Sequence, residues 1–347
     1  MLKQFWFSAL SLKALAPGRF ELPKGIPMIK HEEQIQKEAM TKALEDSRSL
    51  LSAVMIVNPT SGGYAHHREH IAEHIAFLQH HGWNVDVRLT HAAGQATQWA
   101  RKAVARHIDV VVAAGGDGTI NEIIQELAGS ETALGVLPFG TVNVWAREMH
   151  IPLDDAGARD VLVEGKTQYI DLGQVNDRFF LLMAGIGLDG EITQAVEKKA
   201  LKRLGILGYL LASIWYGSRY AGFRVNVTCA SRHISTRALQ IVIGNTQLYG
   251  GVLKFTSQAK CDDGLLDLCV VHMHNIFGRI QVLMDVLLGN KLKPQDIDYA
   301  TSDAIKVYTR KPIAIQLDGE PAGYTPATFQ VIPHTLKVIV PRYSCAG

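Results

Sequence analysis

The sequence has little of what would narrow its class quickly. Four cysteines in 347 residues, Cys229, Cys261, Cys269 and Cys345, include no C-x-x-C pair. The usual zinc spacing is therefore excluded, and a reduced cytoplasmic setting is the simplest inference. The longest uncharged apolar stretch, Leu204 to Ser218, is shorter than the roughly 18 to 20 residues that cross a bilayer, so no transmembrane helix is expected. Charge of one sign is also missing: 35 Lys and Arg against 33 Asp and Glu leave a formal net charge of +2. That balance argues against a nucleic-acid binder, which needs a concentrated basic patch. A local patch facing anionic lipid headgroups stays open. Two familiar nucleotide loops, G-x-x-x-x-G-K-[ST] and G-x-G-x-x-G, are absent as well.

What is present is Asp109-Val-Val-Val-Ala-Ala-Gly-Gly-Asp-Gly-Thr119, running directly into Ile120-Asn121-Glu122-Ile123-Ile124-Gln125-Glu126-Leu127. The first half is a β-branched apolar run of strand length. In the second half Ile120, Ile123, Ile124 and Leu127 recur at i, i+3, i+4 and i+7, one face of a helix. Gly115, Gly116 and Gly118 between them predict a tight turn at a helix N-terminus, where converging backbone N–H groups and the helix dipole favour phosphate. A purely structural strand-to-helix turn is the competing reading, because tight turns need glycine with or without a ligand. Asp117 would repel a bare phosphate, which makes a metal–nucleotide the natural guest.

Length predicts two domains, and 47% hydrophobic residues supply material for both cores. Residues 1–50 read as an extension or linker: Phe5-Trp6-Phe7 with Leu10, Leu12 and Leu15 make a short amphipathic segment that Lys13, Pro17 and Gly18 interrupt. Residues 51–165 read as a nucleotide-binding α/β domain. Its strands start near 54, 85, 109 and 133, spaced as βα units require, and predict a parallel sheet. In such sheets ligands bind beyond the carboxyl ends of the strands, so the turns Asn58–Gly63, Thr90, Gly115–Thr119 and Gly140–Asn143 should converge on one crevice. Residues 166–347 read as a mainly antiparallel β-sandwich domain, with strands near 169–175, 179–184, 223–229, 238–244, 265–271, 304–308, 313–317 and 336–340. The last strand or tail is free to return to the first domain. Helices are expected at 192–220 and 276–288.

With these turns in hand, the chain resembles the diacylglycerol-kinase catalytic-domain family, particularly the bacterial soluble lipid kinases. The resemblance rests on an ordered set: Asn58-Pro59 with Ser61-Gly62, Gly115 to Thr119 with Asn121-Glu122, and Pro138-Phe-Gly-Thr141 with Asn143 and Ala146-Arg147. It continues with Gly244-Asn245, Gly250-Gly251, Asp262 to Asp267, and Asp318-Gly319-Glu320-Pro321. The resemblance implies ATP-dependent transfer of the γ-phosphoryl group to a lipid hydroxyl at a membrane surface. It implies a nucleotide site of Asn58, Thr90, Gly115, Gly116, Asp117, Gly118, Thr119, Ile120, Asn121, Glu122 and Thr141. Glu320 would be the proton acceptor, with Asp318 beside it. A structural Mg2+ would take the backbone carbonyls of Lys260 and Leu265 and the carboxylate of Asp263, all hard oxygen donors. Asn143-Val144 departs from the Asn-Asp that bacterial members commonly carry there, which removes a carboxylate from any water-mediated link to that metal.

Residue chemistry alone leaves Asp318 and Glu320 open between an acid pair and an ordinary Asp-Gly hairpin. The apolar run Leu204 to Trp215 reads as a core helix; Lys198, Lys199, Lys202 and Arg203 before it, with Arg219 and Arg224 after it, also suit a lipid-headgroup site. His66, His70 and His74, with His67, His80 and His81 nearby, read as a solvated helix face. Two other functions fit parts of the pattern: an NAD-kinase-like kinase of a soluble metabolite, and a non-catalytic lipid or nucleotide sensor.

Overall fold

The structure, a computed structural model, describes residues 50–188, 220–230, 232–248, 254–273 and 292–342. The extension before residue 50, Gly250-Gly251, the basic and apolar stretch 198–219, the helices expected at 192–220 and 276–288, and Cys345 lie outside those residues.

The first half folds as its periodicity predicts. β1 (Leu51–Val57), β2 (Trp83–Leu89), β3 (Val110–Gly115) and β4 (Ala133–Pro138) form a parallel sheet in the order β2-β1-β3-β4. β3 and β4 are buried at every position, as continuous apolar runs covered on both faces should be. A short helix α1 (Tyr64–His67) leads through a 3₁₀ turn into α2 (Ile71–His80). α3 (Gln95–Ala105) packs beside α4 (Asp117–Leu127), whose Ile120, Ile123, Ile124 and Leu127 all enter the core. α5 (Val144–Glu148) and α6 (Asp155–Glu164) close this half.

The second half is antiparallel. Its strands are β5 (Lys166–Val175), β6 (Arg178–Phe180), β7 (Met183–Gly187), β8 (Phe223–Cys229), β9 (Arg232–Gly244), β10 (Leu266–His272), β11 (Ile297–Ser302), β12 (Ala304–Thr309), β13 (Ala314–Leu317), β14 (Glu320–Tyr324) and β15 (Ala327–Val340), paired both as consecutive hairpins and across longer connections such as β5 with β15 and β7 with β13. β15 spans both halves: Ala327–Gln330 pair with β12, and Val338 pairs in parallel with Leu134 of β4. Two apolar clusters result, one around the parallel sheet and one around β7, β8, β9 and β12.

One strand expected at 179–184 is instead two, β6 and β7, broken at Leu181-Leu182. Their amides, with that of Met183, donate to the carboxylate of Asp318. Among the described residues no helix is long and apolar enough to cross a membrane.

Candidate active site

The carboxyl ends of the parallel strands carry the turns that build the site. At the end of β1, Asn58 donates its amide nitrogen to Thr119 Oγ1 at 2.9 Å and accepts from both the amide and hydroxyl of Thr60. At the end of β3 the chain turns at Gly115 and Gly116 into α4. A Cβ on Gly140 would lie 2.6 Å from the Cα of Gly116, so the two turns touch backbone to backbone. Asn143, in the left-handed region at φ 53, ties the second turn by accepting from Gly140 N and donating to the carbonyls of Pro138 and Gly140. Asn58, Thr90, Gly116, Gly118, Thr119, Glu122, Thr141 and Glu320 line one cleft of about 490 Å³. Ser61, Gly62, His91 and Gly140 line it as well, beyond the positions implied as nucleotide ligands.

The other implied residues stand behind this lining. Ile120 is packed in the core. Asp117 does not face the cleft: its carboxylate accepts from Val144 N at 3.0 Å and Trp145 N at 3.1 Å, capping α5. Burial pushes its pKa up, opposed by those two amides. The repulsion that made Asp117 an argument for a metal–nucleotide is therefore spent on a helix N-terminus. Glu122 accepts from Ala96 N at 3.0 Å, fixing the start of α3 against α4.

The two late acids separate. Asp318 and Gly319 turn with φ 49 and 86, so the side chains of Asp318 and Glu320 do not share a face. Asp318 is half-buried behind the site and accepts from the amides of Leu181, Leu182 and Met183 at 2.7, 3.0 and 2.8 Å. Asn121 Nδ2 reaches it at 3.3 Å. Burial raises its pKa to about 6, the three amides oppose that, and the charge of Asp117 adds to it. Glu320, by contrast, is part-exposed and opens on the cleft, with Oε1 3.9 Å from where a Cβ of Gly118 would sit. Its other oxygen, Oε2, is ion-paired with Arg178, a residue that no motif had singled out.

The acidic loop of the second half is organised by buried Asp171. Its oxygens accept from Gly264 N at 2.7 Å and His334 N at 2.8 Å. Within the loop, Asp263 Oδ1 accepts from Leu265 N at 3.1 Å. The carbonyls of Lys260 and Leu265 with Asp263 offer oxygen donors of the kind magnesium takes, but only one carboxylate. Among the described residues no three His, Cys, Asp or Glu side chains gather as a metal cluster. Val144 offers none, being buried in the core.

The histidine-rich helix face is not simply solvated. Asp155 of α6 takes His67 Nδ1 at 2.7 Å, His70 Nδ1 at 2.6 Å, and lies 3.5 Å from His74 Nε2. The His67 ring stacks on Phe139 at 4.4 Å, and Phe139 accepts Gly63 N through its carbonyl. This cluster pins the first and fourth turns of the cleft together from behind. Burial holds the His74 pKa below the ordinary imidazole value, and Arg159 and His70 act the same way against Asp155. Burial raises the Asp155 pKa, but bonds from His70 and His67 outweigh it and leave it lowered.

Two expectations follow from this geometry. Gly140→Ala forces a methyl group onto the Gly116 backbone and should weaken binding of a nucleotide in this cleft about tenfold, ~1.4 kcal/mol, measured by titration calorimetry; unchanged affinity would remove the contact between these turns from the site. For His74, the unfolded chain takes up a proton near pH ~6.5 while the folded chain resists it, so stability falls as pH drops below that value. The lowered Asp155 adds a further loss only in the carboxylate range. Melting temperature should therefore decline from pH 7 to 5.5 in the wild type and less steeply in His74→Leu, and equal slopes would show that His74 is not the group responsible.

Comparison with known proteins gives the family. The profile described as Diacylglycerol kinase catalytic domain matches residues 52–175, and that described as YegS C-terminal NAD kinase beta sandwich-like domain matches residues 183–340. The diacylglycerol kinase of Bacillus subtilis (strain 168) is 32% identical over 293 residues, covering 84% of this chain and 96% of that protein. A diacylglycerol kinase of Staphylococcus aureus is 30% identical over 292 residues, covering 84% and 92%. A crystal structure of a putative diacylglycerol kinase from Bacillus anthracis str. Sterne superimposes with a TM-score of 0.71 at 25% identity, over 84% of this chain and 98% of that one. The parallel sheet, the glycine turn between β3 and α4 and the antiparallel second half thus belong to a lipid kinase, and the chain is a member of the diacylglycerol kinase family.

Proposed function

We propose that this lipid kinase transfers the γ-phosphoryl group of magnesium–ATP to a hydroxyl of a membrane lipid: a diacylglycerol-like, sphingoid or phosphatidylglycerol acceptor. The observation that carries the reading is that Glu320 opens on the same cleft as the Gly116–Thr119 turn. Phosphoryl transfer asks the protein for positioning, charge neutralisation and a base for the attacking hydroxyl. The N-terminus of α4 and the turns at Thr90 and Thr141 would hold the phosphates, with magnesium arriving on the triphosphate. The lipid oxygen bonds to the γ-phosphorus, the bond from that phosphorus to the β,γ-bridging oxygen breaks, ADP leaves, and Glu320 takes the hydroxyl proton. Asp318, committed to three backbone amides, acts as the anchor of this acid rather than as a second base. The carbonyls of Lys260 and Leu265 with Asp263 would hold a structural magnesium away from the reacting atoms, supplying rigidity to the acidic loop.

The setting follows from the chemistry. The acceptor lies in a membrane and the donor in the cytoplasm, so the protein would work at the cytoplasmic face through peripheral contact; the basic residues flanking 204–215 in sequence are its candidate contact.

Incubating the purified protein with γ-labelled ATP and mixed vesicles of diacylglycerol, sphingoid base and phosphatidylglycerol should give labelled lipid. Label passing instead to a soluble acceptor without vesicles would favour the metabolite-kinase reading, and ATP binding with no transfer would favour a sensor. Glu320→Gln should lower transfer by roughly 10²–10⁴-fold, the usual worth of a general base, while leaving ATP affinity largely unchanged. Turnover near that of the wild type would remove Glu320 from the base role.

A further inference from the structure

Glu320 has three rotatable side-chain bonds and is 39% exposed, so packing alone does not fix where its carboxylate points. A base that must meet a lipid hydroxyl beside a phosphate needs one lone pair held in one direction. The partner that provides this is Arg178. One of its guanidinium nitrogens, Nη2, pairs with Glu320 Oε2, and the other, Nη1, donates to the carbonyl of Pro321 at 3.0 Å. This fork grips both the side chain of Glu320 and the backbone of the next residue. It leaves Oε1 as the oxygen nearest the Gly118 position.

Arg178 is itself referenced to the glycine turn. The next residue, Phe179, is held by the side-chain amide of Gln125 on α4: Phe179 N donates to Oε1 at 3.0 Å, and Nε2 donates to the Phe179 carbonyl at 3.0 Å. Gln125 Nε2 also reaches the Asn121 carbonyl at 3.1 Å. Downstream, Leu181 to Met183 are tied to Asp318. The helix that begins at the glycine turn thus fixes the backbone beside Arg178, and Arg178 fixes the acid across the cleft.

We propose that Arg178 is a positioning residue for phosphoryl transfer, holding one oxygen of Glu320 so that the other faces the reacting hydroxyl; this rests on Glu320 being the base. An ion pair with side chains 34% and 39% exposed contributes little to folding. Its value is geometric, which separates this role from a structural one: losing Arg178 should damage turnover while sparing stability.

The test is steady-state transfer to vesicle lipid by Arg178→Gln and Arg178→Lys, with melting temperature and ATP affinity measured on the same proteins. Arg178→Gln should lower kcat by about 10- to 100-fold, the range that misplacement of a catalytic group by about 1 Å produces. KM for ATP should stay within about threefold, with melting nearly unchanged. Arg178→Lys should fall between, since an ammonium holds Oε2 without the fork to Pro321. In a Glu320→Gln background, Arg178→Gln should add no comparable loss, because the residue acts through the acid. The proposal is overturned by a kcat within threefold of wild type, by a loss confined to KM for ATP, by a fall in activity that tracks melting, or by an undiminished loss in the Glu320→Gln background. If Glu320→Gln is itself as active as wild type, the base assignment has failed; if that variant is impaired and Arg178→Gln is not, the positioning role alone has failed.

Discussion

The site depends on a carboxylate that never meets the cleft. Taking a carboxylate out of water is costly unless its charge is met by donors, and that of half-buried Asp318 is met by the amides of Leu181, Leu182 and Met183. Hydrogen bonds from the three amides oppose the effect of burial, which still outweighs them and raises the pKa to about 6. The same contacts break a continuous strand into β6 and β7 and hold the β13–β14 turn against them. Asn121 adds α4 to the knot. Because Asp318 sits at φ 49 and Gly319 at φ 86, this acid fixes the direction in which the chain leaves the turn, and Glu320 emerges into the cleft.

The opposite wall is built by a second half-buried acid. Asp117 caps α5 through the amides of Val144 and Trp145, which draws the fourth turn against the glycine turn until Gly116 and Gly140 touch. Neither of these two turns has room for a side chain where Gly116 meets Gly140. Behind them, His67, His70 and His74 gather on Asp155 and brace the first turn through Phe139. The cleft is a gap between elements whose polar groups are largely used to hold each other, Thr119 by Asn58 and one oxygen of Glu320 by Arg178 among them.

Much of the fold was legible in the sequence because burial imposes period. The four parallel strands and the apolar face of α4 followed from runs and i, i+3, i+4 spacing. The convergence of turns at the carboxyl ends followed from the topology. β14 was hidden because Glu320-Pro-Ala-Gly-Tyr324 reads as a turn, and β11 because Ile297–Ser302 mixes polar and apolar residues without a clean alternation. The roles of acids were the least legible part. Asp117 looked like a phosphate neighbour and is a helix cap, while Asp318 and Glu320, two positions apart, face different environments. Arg178 carries no local signal at all. The histidine spacing was visible, but Asp155, 88 residues from His67 in sequence, was not.

The proposed chemistry requires that the glycine turn and Glu320 face one occupant, which a crystal structure with magnesium and a non-hydrolysable ATP analogue would show. The triphosphate should lie over Gly116 to Thr119 with its terminal phosphate on the Glu320 side of the cleft, while Asp318 stays on its amides. A nucleotide bound elsewhere, or one whose terminal phosphate points away from Glu320 across the width of the cleft, would contradict it.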